Sequence, residues 1–162
     1  MRRAIIALGV LVVLSAVLLL AGGVILGEGA LRVPRHHNQD VGALFGVQSV
    51  QIVARDGIHL SAWIVSPPRP AGDCVVVLHG IADSRSSMAG FARLFTDNRY
   101  TVLLPDSRGH GDSGGDIVTY GVLEAEDVHR WVDLLISSAG CKRVFGLGES
   151  LGAGILATVA LD

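Results

Sequence analysis

A serine lies between two glycines at Gly148-Glu149-Ser150-Leu151-Gly152. The run before it, Arg143-Val144-Phe145-Gly146-Leu147, has the apolar character of a strand. The run after it, Ala153-Gly154-Ile155-Leu156-Ala157, has the small residues of a closely packed helix. A G-x-S-x-G pattern at such a junction sets the serine hydroxyl out on a sharp turn. A hydroxyl placed there can attack an ester, thioester or amide carbonyl. It needs a base to take its proton and backbone N–H groups to receive the charge on the carbonyl oxygen. A second reading is available, because serine is also a favoured helix N-cap with no chemistry attached.

The histidines and carboxylates form a second set of candidates. Leu78-His79-Gly80 closes one apolar run, and Pro105-Asp106-Ser107-Arg108-Gly109-His110-Gly111-Asp112-Ser113 follows the next. His59 falls in an early strand and His129 on a helix, surface or core positions rather than ligands. His36 and His37 are adjacent and cannot share one face. With no third ligand near, they read as part of a solvated stretch rather than a metal or headgroup site. Asp112-Ser113-Gly114-Gly115-Asp116 has loop composition and lacks the ligand pattern and closing glutamate of a calcium loop. No metal site is expected.

The elements that must position these residues follow from periodicity. Val47 to Ala54 alternates apolar and polar residues, and Ile58 to Ser66 forms a second strand across the Asp56-Gly57 turn signal. Pro67-Pro68-Arg69-Pro70 interrupts regular structure. Cys74 to Leu78 is continuously apolar and β-branched, as in a strand buried on both faces. Met88, Phe91, Ala92 and Phe95 fall on one helical face, as do Val128, Trp131, Val132 and Leu135 within Tyr120 to Ser137. Thr101 to Leu104 and Arg143 to Leu147 are further short strands. An antiparallel hairpin followed by alternating strands and helices predicts an α/β fold, with a mostly parallel sheet and helices on both faces.

The N-terminus is of a different kind. Ala4 to Gly27 contains no charged residue and is long enough to cross a hydrocarbon core. Arg2 and Arg3 precede it, which favours a cytoplasmic N-terminus. Its length exceeds the usual core of a cleaved signal peptide, the alternative reading. Residues 1–27 are therefore expected to be a transmembrane signal anchor, 28–46 a linker, and 47–162 an extracytoplasmic globular part. The protein is expected to be single-pass and membrane-bound. A net charge of −2 with scattered basic residues gives no reason to expect a nucleic-acid partner.

Three motifs in one order carry a resemblance: Leu78-His79-Gly80, the Pro105–Ser113 stretch, and Gly148-Glu149-Ser150-Leu151-Gly152. Residues 47–162 resemble the N-terminal portion of an α/β-hydrolase, a membrane-anchored esterase-like or peptidase-like member, incomplete after the nucleophile elbow. Tyr120-Gly121 with Glu124 and Asp127 adds to the likeness.

The resemblance implies roles. Ser150 is the nucleophile. The backbone N–H groups of Leu151 and Ile81 form the oxyanion hole. Gly148 and Gly152 permit the tight elbow, Gly80 lets its loop approach the substrate, and His79 hydrogen-bonds backbone in that loop. In the family's order the triad acid and histidine follow the serine, so both are expected beyond this chain. His79 and His110 are set aside as the base, and Asp106 and Arg108 are taken as loop-bracing partners. The strands bearing Cys74 and Cys141 are neighbours in the family, which leaves a disulfide and two buried thiols as open alternatives. The expected function is a serine hydrolase acting through an acyl-enzyme on a small-molecule, lipid or peptide acyl substrate, with no cofactor. The alternatives are a catalytically inactive membrane-tethered binding module and an acyltransferase on the same fold.

Overall fold

The computed structural model describes residues 2–39 and 46–161; residues 40–45 of the expected linker lie outside them. The chain divides into two compact units, Met1–Arg32 and Val33–Asp162. The first is a single helix, α1 (Arg2–Leu31), which runs four residues past Gly27. None of its residues is buried, and Arg32 pairs with Glu28 at 3.0 Å just past its end. Its length and composition suit a membrane span, and they suit a signal sequence equally.

The second unit holds a five-stranded sheet in the order β1-β2-β4-β3-β5. The strands are β1 (Val47–Val53), β2 (His59–Val65), β3 (Asp73–Leu78), β4 (Thr101–Pro105) and β5 (Arg143–Gly148). β1 and β2 form an antiparallel hairpin, and β2 pairs antiparallel with β4. β3 lies parallel to both β4 and β5, so the sheet is mixed, with its parallel part around β3. The hairpin loop is longer than the two-residue turn that Asp56-Gly57 alone signals. It runs from Ala54, whose N–H donates to the Ile58 carbonyl at 2.8 Å, and turns on Gly57 at φ +86°.

Three helices cover the sheet: α2 (Ala89–Asp97), α3 (Val122–Ser138) and α4 (Leu151–Val159). A short 3-10 turn, Arg85–Met88, precedes α2. The alternation of side chains along buried strands sorts the core into two layers. Cys74, Val76 and Leu78 of β3 join Leu103 and pack with Val128, Trp131 and Leu135 of α3 and Ile155 of α4. Val75 and Val77 join Val102 and Leu104 and pack with Met88 and Ala92 on the other face. Helices therefore lie on both faces, as the strand–helix alternation predicts. Phe91, expected on the apolar face of α2, is exposed, because α2 is short and Met88 and Ala92 take the contact.

Cys74 and Cys141 form a disulfide with a Cα–Cα distance of 5.8 Å. The register pairs Cys74 with Val144, and Cys141 lies in the turn before β5, where the chain folds back toward β3. The bridge thus ties together the N-terminal ends of the two strands whose other ends carry His79 and Ser150.

Candidate active site

β3 and β5 run side by side to the same end, with Leu78 opposite Gly148. The loops that leave them, His79-Gly80-Ile81 and Glu149-Ser150, emerge together, and the Glu149 N–H donates back to the Leu78 carbonyl at 3.0 Å. The glycines set this closeness. A Cβ on Gly152 would lie 2.6 Å from the Leu78 carbonyl oxygen and 2.8 Å from that of His79. One on Gly148 would lie 2.4 Å from the Ala153 nitrogen. Helix α4 thus begins directly on β3, at a distance that only glycine permits.

The turn forces Ser150 to φ 50°, ψ −112°, a conformation that L residues rarely adopt. Backbone strain of this kind costs on the order of 1–3 kcal/mol and needs support from its surroundings. Ser150 occupies the N-cap position of α4, yet its hydroxyl makes no capping hydrogen bond. The side chain is exposed, and among the described residues its hydroxyl has no partner. Leu151 is the first residue of α4, where an N–H has no intrahelical acceptor. The position a Cβ would take on Gly80 lies 3.6 Å from the Ser150 Cβ, so the two loops touch. Ser150, Leu151, Gly148, Gly152, Gly80 and Ile81 are thus gathered at one end of the sheet.

His79 and His110 lie beneath this loop, both fully buried, with ring centroids 5.0 Å apart. The Ser107 N–H donates to His79 Nε2 at 3.1 Å, and His79 Nδ1 is 2.7 Å from the Gly80 carbonyl. A backbone N–H can only donate, so Nε2 is the acceptor and the proton sits on Nδ1, bound to Gly80. His110 repeats the arrangement. Its Nε2 accepts from the Ala82 N–H at 3.1 Å, and its Nδ1 donates to the Arg108 carbonyl at 2.9 Å. All four ring nitrogens are engaged with backbone, and the pair fixes the loop from Gly80 to Ala82. Burial pushes the His110 imidazole below its ordinary range, which keeps it neutral in this role.

The loop after β4 is braced by buried charge. Arg108 grips Asp127 with two hydrogen bonds of 2.8 Å and reaches Asp56 with a third. Burial alone would lower the Arg108 guanidinium, but the bonds to Asp127 and Asp56 raise it, so it stays charged. Asp106 is fully buried. Its carboxylate accepts from the Arg85 N–H and Nη1, each at 2.7 Å, and from the Asp112 N–H at 2.8 Å. A Cβ on Gly111 would lie 2.1 Å from that carboxylate, so the loop folds tightly around it. Glu124 accepts from the Gly121 N–H at 2.9 Å and the Thr119 N–H at 2.7 Å, closing the start of α3.

Three participants carry no local sequence signal. Arg85 is buried over the Trp63 ring at 4.5 Å. Arg35 and Asn38, expected in a linker, hydrogen-bond to the loop after β4. Their partners in that loop lie 68 to 80 residues away in sequence, which no periodicity could reveal. His36, His37 and His59 are exposed. Among the described residues no cluster of three or more histidine, cysteine or carboxylate side chains is arranged for a metal.

Comparison with known proteins bears on the family and the fold. Residues 69–162 match the family described as serine aminopeptidase, S33. The structure resembles the esterase Pf2001 of Pyrococcus furiosus, with a TM-score of 0.70 and 30% identity, over 77% of this chain and 51% of that one. It also resembles XC6422 of Xanthomonas campestris, an α/β serine hydrolase without a lid. There the TM-score is 0.62 and the identity 19%, over 72% of this chain and 56% of that one, a likeness of fold alone. In sequence, YqkD of Bacillus subtilis is 32% identical over 87 residues, 53% of this chain and 28% of that protein. The matched part of the chain thus spans about half the length of the esterase and about a quarter of the length of its curated relatives.

Proposed function

The chain belongs to the serine aminopeptidase S33 family and has the α/β-hydrolase fold, and from that premise we propose that it is a serine hydrolase with Ser150 as nucleophile. The observation that carries the proposal is the Ser150 backbone. A serine serving as a mere helix cap gains its stability from a capping bond. Ser150 makes none, and it is held in a costly conformation. The turn achieves one thing in exchange, an exposed hydroxyl beside a loop held by two buried histidines.

In the reaction, Ser150 Oγ adds to an acyl carbonyl as a base removes its proton. The tetrahedral oxyanion is received by the N–H groups of Leu151 and Ile81. Its collapse breaks the bond to the leaving oxygen or nitrogen, which takes the proton from the base and departs as alcohol or amine. Water then attacks the acyl-enzyme and gives a proton to the same base. That proton returns to Ser150 Oγ as the carboxylic acid leaves. Neither buried histidine is assigned the role of base, since both ring nitrogens of each already serve the loop. In the family's chain order the base and acid follow the serine, so neither is assigned within residues 2–161. The α1 helix is proposed to anchor the protein, with residues 33–162 on the extracytoplasmic side. The disulfide supports that side, because such bonds persist in oxidising compartments.

The test uses the native gene product with p-nitrophenyl acyl esters and aminoacyl p-nitroanilides. Hydrolysis should fall to background in Ser150→Ala, and product partition to an added alcohol would separate acyl transfer from hydrolysis. Turnover equal to wild type in Ser150→Ala would end the proposal.

A further inference from the structure

Residues 33–39 follow the apolar helix directly, and two of their side chains, exposed Arg35 and half-buried Asn38, hydrogen-bond to the loop after β4. Arg35 Nη1 donates to the carbonyl oxygens of Gly111, at 3.2 Å, and of Ser113, and Nη2 donates to that of Gly115 at 2.7 Å. Three backbone carbonyls thus face one cation, and the planar guanidinium meets them from two of its nitrogens, Nη1 and Nη2. Asn38 Nδ2 donates to Asp106 Oδ2 at 2.8 Å and to Asp112 Oδ2 at 3.0 Å. Its Oδ1 accepts from the Ser86 N–H at 3.3 Å.

The groups these residues hold are the ones that hold the oxyanion loop. Arg35 binds the turn that carries His110, and His110 Nε2 accepts the Ala82 N–H, next to Ile81. Asn38 binds Asp106, and Asp106 accepts the Arg85 N–H at the far end of the same loop. Both ends of residues 82–85 therefore depend on acceptors whose own positions are set from residues 35 and 38. We propose that Arg35 and Asn38 are positioning residues for the oxyanion loop, so that the segment joining the domain to α1 is part of the scaffold of the site. This rests on the reading of Ser150 as nucleophile.

The test is amide hydrogen exchange on the full chain in detergent micelles. It compares wild type, Arg35→Gln, Asn38→Ala, the double variant and an Arg32→Gln control, whose side chain pairs with Glu28. Exchange at Ala82 and Arg85 should rise about tenfold in each single variant and further in the double, as each loses charge-assisted hydrogen bonds. Amides of β3 and the control should stay at wild-type rates, and Arg35→Lys should recover part of the protection. Unchanged exchange at Ala82 in the double variant overturns the proposal. A rise shared equally by β3 also overturns it, since that is a loss of general stability.

In the native gene product, Arg35→Gln should slow the inactivation step with a fluorophosphonate while leaving probe affinity unchanged. An unchanged inactivation rate overturns the positioning role. Failure of the nucleophile reading is read separately, as labelling that survives Ser150→Ala.

Discussion

Two glycines of α4, two residues apart, should respond to alanine with opposite sign. At Gly152 the added methyl would lie 2.6 Å from the Leu78 carbonyl oxygen, 2.7 Å from the Leu78 Cβ and 2.8 Å from the His79 carbonyl oxygen. Two of these are backbone atoms that no side-chain rotation can move, so α4 must lift off β3. Overpacking of this kind costs about 1–3 kcal/mol, and the backbone contacts put Gly152→Ala near the upper end. The helix-propensity gain of alanine over glycine offsets only about 1 kcal/mol of that. At Gly154 nothing lies within 4 Å of the added methyl, so the gain of about 0.8–1 kcal/mol stands alone. The two variants should therefore differ by about 3 kcal/mol in urea unfolding of the chain in detergent, followed by tryptophan fluorescence of the buried Trp131. Gly152→Ala should also displace the Leu151 N–H and slow acylation in the native gene product. Stabilisation by both substitutions would refute the close approach of α4 to β3, and with it the elbow geometry.

Ser150→Gly should stabilise the fold by about 1 kcal/mol while abolishing reactivity, because glycine adopts the observed backbone angles without the penalty; a loss of stability in the same urea assay would remove the strain argument. His110 gives a pH dependence. Its folded pKa lies below the ordinary imidazole value of about 6.5. From there down to the folded value, the unfolded chain binds a proton that the folded chain does not. The His110 contribution to stability is therefore complete above about pH 6.5 and is lost as pH falls through that window, by at most about 1.4 kcal/mol per pH unit. Ala82 amide protection should decline over the same window, and protection constant from pH 7.5 to 5 would contradict the assignment of His110 Nε2 as its acceptor. Cys74→Ala with Cys141→Ala should cost about 4 kcal/mol on the chain-entropy model for a separation of 67 residues; a variant as stable as wild type in urea would show that the bridge constrains little.

How much was legible depended on how local each signal was. The elbow, the loop glycines and the strand–helix alternation are written in short windows, where the period of the side chains and the space a glycine leaves are set by neighbours in sequence. His79 and His110 were legible as loop residues, since both follow strands. Their shared tautomer was not, because it depends on the Ser107 and Ala82 N–H groups, each 28 residues from the ring it meets. The disulfide is not legible in the sequence, because strand neighbours alone do not fix register and Cys141 lies in a turn whose path only the fold reveals. Arg35, Asn38 and Arg85 gave no signal at all: a polar residue in a linker or turn looks solvated until the loop it binds is placed against it.

The central claim is that the strained turn at Gly148–Gly152 presents a nucleophile. The most direct test is to treat the native gene product with a fluorophosphonate and map the adduct by peptide mass spectrometry, beside Ser150→Ala. The account predicts a single adduct on Ser150 and none in the variant. An adduct elsewhere, or labelling undiminished in Ser150→Ala, would contradict it.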